Sequence, residues 1–321
     1  MKKVRYWLEW LFVSGFARLI PLIPFGLLRM LANFAGWVFY LADRRSRAVA
    51  LANLEAAFGS EMSPERRRQV ARKSLQVFAR SFLELFWTPR LNQKDLGKFI
   101  SFENPDAFAA ILAGKSTCPT IGITPHFGNF EWGSALFAFS GLDGHILTQR
   151  FKNDRLTPIF QQIREKSGHR IVTREGSMLR FMKALRRGEH VGILIDFTLK
   201  MNDPGAIIST FGLRMRTTMI HALLHQRTGA RLLPFVTLTW PDGGYSARLL
   251  NPLQFPENTP YHKIVQICWD GFEPIIRQHP EQWLWVYKHW RYLPAGSDRP
   301  YPFYANRSEQ FDQELEGQRE R

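Results

Sequence analysis

An α/β fold is predicted for this 321-residue chain, with a mixed central sheet flanked by helices and with N-terminal membrane-associated helices. Three observations predict it. From about residue 116 onward, short β-rich runs alternate with amphipathic stretches, the pattern of strands joined by crossover helices. Hydrophobic residues make up 45% of the chain, enough for a large core and too many for wholesale disorder. The most apolar stretch lies at the amino terminus, beside a concentration of positive charge. At ~150 residues per domain, the length suits one large or two modest domains. We read an anchoring segment over residues 1–42, one main α/β domain over 43–295 and a polar tail over 296–321.

Taken in order, residues 4–42 run VRYWLEWLFVSGFARLIPLIPFGLLRMLANFAGWVFYLA. Glu9, Arg18 and Arg29 interrupt this segment, and Pro21 and Pro24 break helical continuity. Its longest uncharged run is Met30 to Ala42. A transmembrane helix needs ~20 successive apolar residues, so no piece spans without a charge near one end. No small-residue cleavage site marks a secretory signal. Trp7, Trp10 and Trp37 favour the headgroup boundary, and Arg44, Arg45 and Arg47 follow at once, which suits an anionic cytoplasmic leaflet. One or two tilted or interfacial helices that anchor the chain to a membrane are expected, with buried core helices as the alternative. Two soluble helices come next. Ser63-Pro64-Glu65 is a start signal for one, after which Val70, Leu75, Phe78, Phe82 and Phe86 recur near the helical period. Arg66, Arg67, Arg68, Arg72 and Lys73 make a basic stripe that reads first as solvated surface.

The β-rich runs are PTIGITP (119–125), HILTQ (145–149) and HVGILID (190–196), with amphipathic stretches at 129–140, 155–167 and 176–187. ARLLPFVTLTW (230–240) and YSARLL (245–250) add two strands joined across Asp242-Gly243-Gly244, a hairpin signal. The closing stretch SEQFDQELEGQRER is expected to be frayed or a short exposed helix.

Charge and missing motifs narrow the function. The net charge is +15, and residues 1–90 hold fifteen Lys/Arg against six Asp/Glu, or +9 of it. The partners implied are anionic: nucleic acid, an acidic protein or a phosphorylated lipid. No recognised nucleic-acid-binding module is present, so a nucleic-acid partner is not expected. Cys118 and Cys268 allow at most one disulfide and no four-cysteine zinc site, which fits a reducing compartment. Gly114-Lys115-Ser116 resembles the end of a phosphate loop, but Ala109 stands where its first glycine belongs. No GxGxxG or GxSxG motif occurs. His221 and His225 lie four apart on a predicted helix, but the glutamate of a zinc-protease motif is missing, so no metal is expected.

One constellation carries chemistry. Pro125-His126-Phe127-Gly128-Asn129-Phe130-Glu131 follows the strand PTIGIT and precedes the helix FEWGSALFAF. In an α/β sheet, reactive groups collect at the C-terminal ends of strands. On a straight helix an offset of five residues turns side chains roughly 140° apart. A strand-to-helix turn hinged at Gly128 could instead bring His126 and Glu131 together. The imidazole is then a candidate general base, and the carboxylate would hold its tautomer. No Ser or Cys nucleophile is near, which favours direct attack by an activated substrate hydroxyl. A histidine that merely caps a helix is the bland alternative.

This His-x4-Glu turn resembles the His-x4-Asp/Glu motif of the glycerolipid acyltransferase superfamily. Four further blocks resemble the bacterial lipid A secondary acyltransferases: TQRFKNDRLTPIFQQIREKSGHRIV (148–172), MLRFMKALRRGEHVGILID (178–196), FGLRMRTTMIHALLHQRTGARLLPF (211–235) and IIRQHPEQWLWVYKHWRYLP (275–294). The last contains the family's Pro-x-Gln-Trp-x-Trp signature. The resemblance spans nearly the whole chain. It implies an inner-membrane enzyme, catalytic domain facing the cytoplasm, that moves a fatty acyl group from acyl carrier protein to a hydroxyl of a lipid A precursor. A thioester donor is already activated, so no cofactor is implied. Carried over residue by residue, His126 matches the general base and Glu131 its acidic partner. Arg150, Asn153, Arg164 and Asp196 match polar positions read as substrate-binding. Gln282, Trp283 and Trp285 match the final signature and read as mainly structural. The chain departs from the family at Phe197-Thr198, where Gln usually follows the aspartate, and at Met219-Ile220-His221, where Thr-Gly-Pro is common. Other acceptors, such as a glycosylated phospholipid or an aminolipid, stay open, as does a non-enzymatic membrane-surface scaffold.

Overall fold

The computed structural model describes residues 2–115, 117–173, 175–240 and 242–319. Ser116 of the Gly114-Lys115-Ser116 triplet and the last two residues of the polar tail lie outside them. The described helices are α1 (Lys2–Leu19), α2 (Phe25–Ala42), α3 (Arg44–Phe58), α4 (Pro64–Trp87), α5 (Pro105–Ala113), α6 (Phe130–Phe139), α7 (Thr157–Glu165), α8 (Ser177–Arg186), α9 (Ile220–Thr228), α10 (Tyr261–Asp270), α11 (Glu273–Gln278) and α12 (Glu309–Arg319). The strands are β1 (Ile100–Phe102), β2 (Thr120–Thr124), β3 (Gly144–Thr148), β4 (Arg170–Thr173), β5 (His190–Leu194), β6 (Gly205–Thr210), β7 (Leu213–Thr218), β8 (Arg231–Thr239) and β9 (Tyr245–Leu249).

Seven strands form one mixed sheet in the order β1-β9-β8-β2-β5-β3-β4. From β8 to β4 every pairing is parallel, and β9 runs antiparallel to β8. The five runs read as strands are β2, β3, β5, β8 and β9. Both faces of β2 are covered. Ile121 and Ile123 point into the largest core cluster, which also takes Phe181 and Leu185 of α8 and Ala222 and Leu224 of α9. Gly122 and Thr124 face the opposite side, towards Phe130, Glu131 and Ser134 of α6. α4 bridges two clusters, since Val70 and Ala71 enter the first, and Leu83, Leu85, Phe86 and Trp87 enter a second with Trp132. Its start is the predicted one: the Ser63 side chain accepts a hydrogen bond from the Arg66 N–H at 3.2 Å, a cap worth ~1 kcal/mol.

α1 and α2 are separated by a single 3-10 turn over Ile20–Leu22, which contains Pro21, and Pro24 stands immediately before α2. α2 is long and apolar enough to cross a membrane by length and composition, with Arg29 near its start. It packs antiparallel along α4. The Trp87 indole donates to the Ile23 carbonyl, and the Gln76 amide donates to the Asn33 carbonyl. At Gly36 an added Cβ would sit 2.5 Å from the Gln76 Cα, so only glycine permits this approach. The outer sides of the two helices are apolar. Val4, Leu8, Leu11 and Phe12 are exposed on α1, and Leu27, Met30, Leu31, Phe34, Trp37 and Leu41 on α2.

Two regions depart from the sequence reading. β6 and β7 form a separate antiparallel hairpin turned at Phe211-Gly212. The tail is neither frayed nor merely exposed over its described part. α12 buries Phe311 and Leu315 against Ile207 of β6, and Arg216 pairs with Glu314 at 2.8 Å. The physical reason is the i, i+4 pair of apolar residues in an otherwise polar helix.

Candidate active site

β2 and β5 are neighbours in register, with Thr124 opposite Leu194. Two residues further along each strand stand His126 and Asp196, at the C-terminal edge of the sheet. The Ile195 N–H bonds the Thr124 carbonyl at 3.1 Å and carries the pairing past the strand ends. The two side chains meet: His126 Nδ1 lies 2.6 Å from Asp196 Oδ1. The other carboxylate oxygen accepts from the His126 backbone N–H at 2.9 Å and from the Trp283 indole N–H at 2.9 Å. A carboxylate can only accept, so Nδ1 carries the proton and Nε2 is left as the basic nitrogen. Asp196 is fully buried, and His126 is 6% exposed. Burial pushes the Asp196 carboxyl up, but the facing imidazole and the hydrogen bonds from His126 more than reverse this, leaving it below the ordinary aspartate value.

The turn between His126 and Glu131 is clamped from three sides. Gly128 adopts φ +56° and an added Cβ would lie 1.7 Å from the Thr237 carbonyl oxygen, so no other residue fits. The Ser81 hydroxyl donates to the Gly128 carbonyl at 2.8 Å. The Pro-x-Gln-Trp-x-Trp segment docks like a short strand: Gly128 N–H bonds the Gln282 carbonyl at 2.8 Å, and Leu284 N–H bonds the His126 carbonyl at 3.1 Å. The signature is therefore structural and at the site at once, since Trp283 also holds Asp196. Asn129 caps α6 through the Trp132 N–H at 3.0 Å and donates to Glu84 at 2.6 Å. Glu84 is fully buried and also accepts from the Tyr245 hydroxyl at 2.6 Å. Burial lifts its pKa to about 7, against the opposing effect of these hydrogen bonds.

Glu131 does not hold His126. Its carboxylate is gripped by Arg164 through two bonds, at 3.0 and 2.5 Å. The reason is geometric: the His126 ring is turned to the β5 strand end, where Asp196 already occupies Nδ1, while Glu131 is the second residue of α6 and pairs with Arg164 of α7. Both residues still line one cavity of about 440 Å³, with Arg150, Arg164, Phe197 and Tyr287. The rings of Phe197 and Tyr287 meet the imidazole edge-on, with centroids 4.7 and 5.0 Å away.

The predicted substrate-binding residues divide. Arg150 lines the cavity and pairs with Asp154 at 3.1 Å. Arg164 lines it through its bond to Glu131. Asp196 is buried behind the imidazole, so it orients His126 and does not meet a substrate. Asn153 is 3% exposed, and its amide donates to the Tyr6 carbonyl at 2.8 Å and to Glu9 at 3.1 Å. It ties α1 to the segment after β3 and is not free for a ligand. His225 is likewise engaged, with Nδ1 at 2.7 Å from the Ala230 carbonyl and Nε2 accepting from the Phe255 N–H at 3.2 Å. Glu84 and Tyr287 are site residues that sequence reasoning missed. A lone glutamate on the apolar face of α4 was the available signal for the first.

A second, narrower cavity of about 100 Å³ runs beneath the sheet between β2, β5 and α6. It is mostly apolar, with Gly122, Ile146, Leu194 and Phe235 on its walls, and Glu131 and Arg164 line it as well as the His126 cavity. Paired Gly122 and Gly192 leave its floor without side chains.

A sequence model of the bacterial lipid A biosynthesis acyltransferases matches residues 1–292. The lipid A biosynthesis lauroyltransferase of Escherichia coli (strain K12) is 25% identical over 305 residues, covering 91% of this chain and 94% of that protein. A histidine fixed by a buried carboxylate beside an apolar channel is thus found in a sequence matched almost end to end, and the chain belongs to the bacterial lipid A biosynthesis acyltransferase family.

Proposed function

We propose that this protein transfers a fatty acyl chain from an acyl carrier protein thioester to a hydroxyl of a lipid A precursor, with His126 as general base. The observation that carries this reading is the His126–Asp196 pair, which leaves Nε2 as the acceptor nitrogen in a cavity that shares Glu131 and Arg164 with an apolar one. The acceptor oxygen attacks the thioester carbonyl carbon as its proton passes to Nε2. Collapse of the tetrahedral intermediate breaks the C–S bond, and the imidazolium returns the proton to the leaving thiolate. The products are an ester and the carrier's free thiol. Asp196 stabilises the imidazolium that forms. The acyl chain lies in the apolar cavity, which puts the thioester carbonyl near Glu131 and Arg164. The charge of Arg164 and the first N–H groups of α6 favour the developing oxyanion. Glu131 acts through Arg164, whose guanidinium it holds.

The apolar faces of α1 and α2 are read as the membrane-anchoring surface. α2 is pinned along α4 over much of its length, so the anchor lies in the interface rather than crossing it, on the inner face of the bacterial inner membrane. The acidic carrier is drawn to a chain of net charge +15. The test is the purified full-length chain in detergent, given an acyl carrier protein thioester and a phosphorylated glucosamine-disaccharide lipid. Mass spectrometry should find one new ester, absent with His126→Ala. Failure of the wild-type chain to acylate any such lipid would sink the reading.

A further inference from the structure

A third cavity of about 700 Å³, larger than the one around His126, opens on the other side of Phe197. The two cavities share Leu147, Thr148, Gln149, Leu194 and Phe197, so the Phe197 ring is a common wall between them. That ring also stands edge-on to His126. The third cavity is lined by Lys200 and Arg291 and by the hydroxyl-bearing Thr148, Thr198 and Thr218. Among the described residues, Arg150 and Arg164 of the His126 cavity face carboxylates and Lys152 does not; in the third cavity neither Lys200 nor Arg291 has a carboxylate partner. Asp203 also lines the wall and is already engaged. The first residues of α8 and α9, Ser177 and Ile220, border the same space; the start of α8 has no side-chain cap, and the Ile220 N–H of α9 donates to the Thr218 hydroxyl at 3.3 Å. Their N–H groups add to a positive potential that the two cations already set.

We infer that this cavity seats a phosphate group on the sugar head of the acceptor, an assignment that rests on the acyl-transfer reading above. Unneutralised cations next to hydroxyl and amide side chains recognise a phosphorylated sugar: Arg and Lys take the phosphate, and the Thr and Gln groups take ring hydroxyls. The position fits a two-substrate reaction. A donor chain enters from the apolar cavity on one side of His126, and the acceptor head sits past Phe197 on the other, with its reacting hydroxyl delivered over the imidazole.

The experiment measures steady-state kinetics of the full-length chain with a carrier thioester and two acceptors. One is a phosphorylated glucosamine-disaccharide lipid, and the other is the same lipid after enzymatic dephosphorylation. The wild-type chain should show a KM about tenfold or more lower for the phosphorylated lipid, the scale of a charge-assisted hydrogen bond. In Lys200→Ala and Arg291→Gln that preference should collapse, through a raised KM for the phosphorylated acceptor. Lys200 is exposed, so its variant keeps the fold and an unchanged acceptor preference overturns the proposal. A raised KM for the donor instead would assign the cavity to the carrier's phosphodiester arm and overturn it too. If the wild-type chain acylates neither lipid, the functional reading fails, and the cavity is tested with inorganic phosphate alone. Phosphate should then raise the melting temperature of the wild-type chain and not of Lys200→Ala/Arg291→Gln, and equal shifts would reject the site.

Discussion

Two fully buried carboxylates hold the same turn, one at its start and one in its middle, and their pKa values are shifted in opposite directions. Asp196 meets His126 at the strand end and is kept below the ordinary aspartate pKa. Glu84 meets Asn129 in the middle of the turn and is raised to about 7. Burial acts on both in the same direction. The partners decide the outcome, since Asp196 faces an imidazole that can become a cation, whereas the groups bonded to Glu84 are a neutral amide and a phenol. In the proposed reaction, the first arrangement supplies a counter-charge for the proton that reaches His126. The second is a scaffold that would rather be neutral.

The largest effect should come from removing the first. His126→Ala should lower turnover by about a hundredfold or more, with the circular dichroism spectrum retained. Asp196→Asn should cost about as much. An amide there can donate to Nδ1 and so select the wrong tautomer, and the readout is a pH–rate profile that loses its lower limb. If Asp196→Asn stays near wild-type activity while Glu131→Gln collapses, the roles assigned to the two carboxylates are reversed.

Glu84 sharpens the contrast through stability. Its folded pKa of about 7 lies above the ordinary glutamate value, so the folded state binds the proton more tightly than the unfolded one. Stability from this group is therefore full below pH ~4.5 and falls as pH rises towards 7, by on the order of 3 kcal/mol. Asp196 contributes in the reverse sense, with stability present at neutral pH and lost as pH falls through its depressed value. Glu84→Gln should remove the slope between pH 4.5 and 7 in urea titrations. An unaltered slope would mean that another group carries it. The smallest effect expected is one of selectivity. Gly122 meets only the Phe235 ring and the Val191 carbonyl oxygen at van der Waals distance. Gly122→Val should thus fill the apolar cavity and shift the preferred donor to a shorter chain, as read by competition between acyl thioesters of different length.

Much of this was legible in the sequence for a physical reason. Strands buried on both faces read as apolar runs, and the parallel crossover pattern fixes where their C-terminal ends gather, so the place of His126 at the edge of the sheet was identifiable. Its partner was not. Asp196 is 70 residues away, and only the register of β2 on β5 brings it to Nδ1. Spacing pointed instead to Glu131, which is near in sequence but turned towards Arg164. Asn153 was read as substrate-binding because it matches a polar position of the family's second block, and its partners on α1 could not be seen before the fold. The β6–β7 hairpin went unread because its strands alternate weakly and Phe211 takes a positive φ of 51° beside Gly212.

That Asn153 bond has a practical consequence. A chain trimmed of its first helix to improve solubility would lose both bonds of this carboxamide and open it to water, at a cost of ~1 kcal/mol per bond. The loss would fall on the loop that carries Arg150 at the cavity rim. Trp10, Val13 and Phe16 would also vacate the surface they cover beside Phe151 and Phe160. The amino terminus thus backs Phe151 and Phe160, which line the His126 cavity, and a shortened protein should be a poor enzyme even towards substrates that need no bilayer.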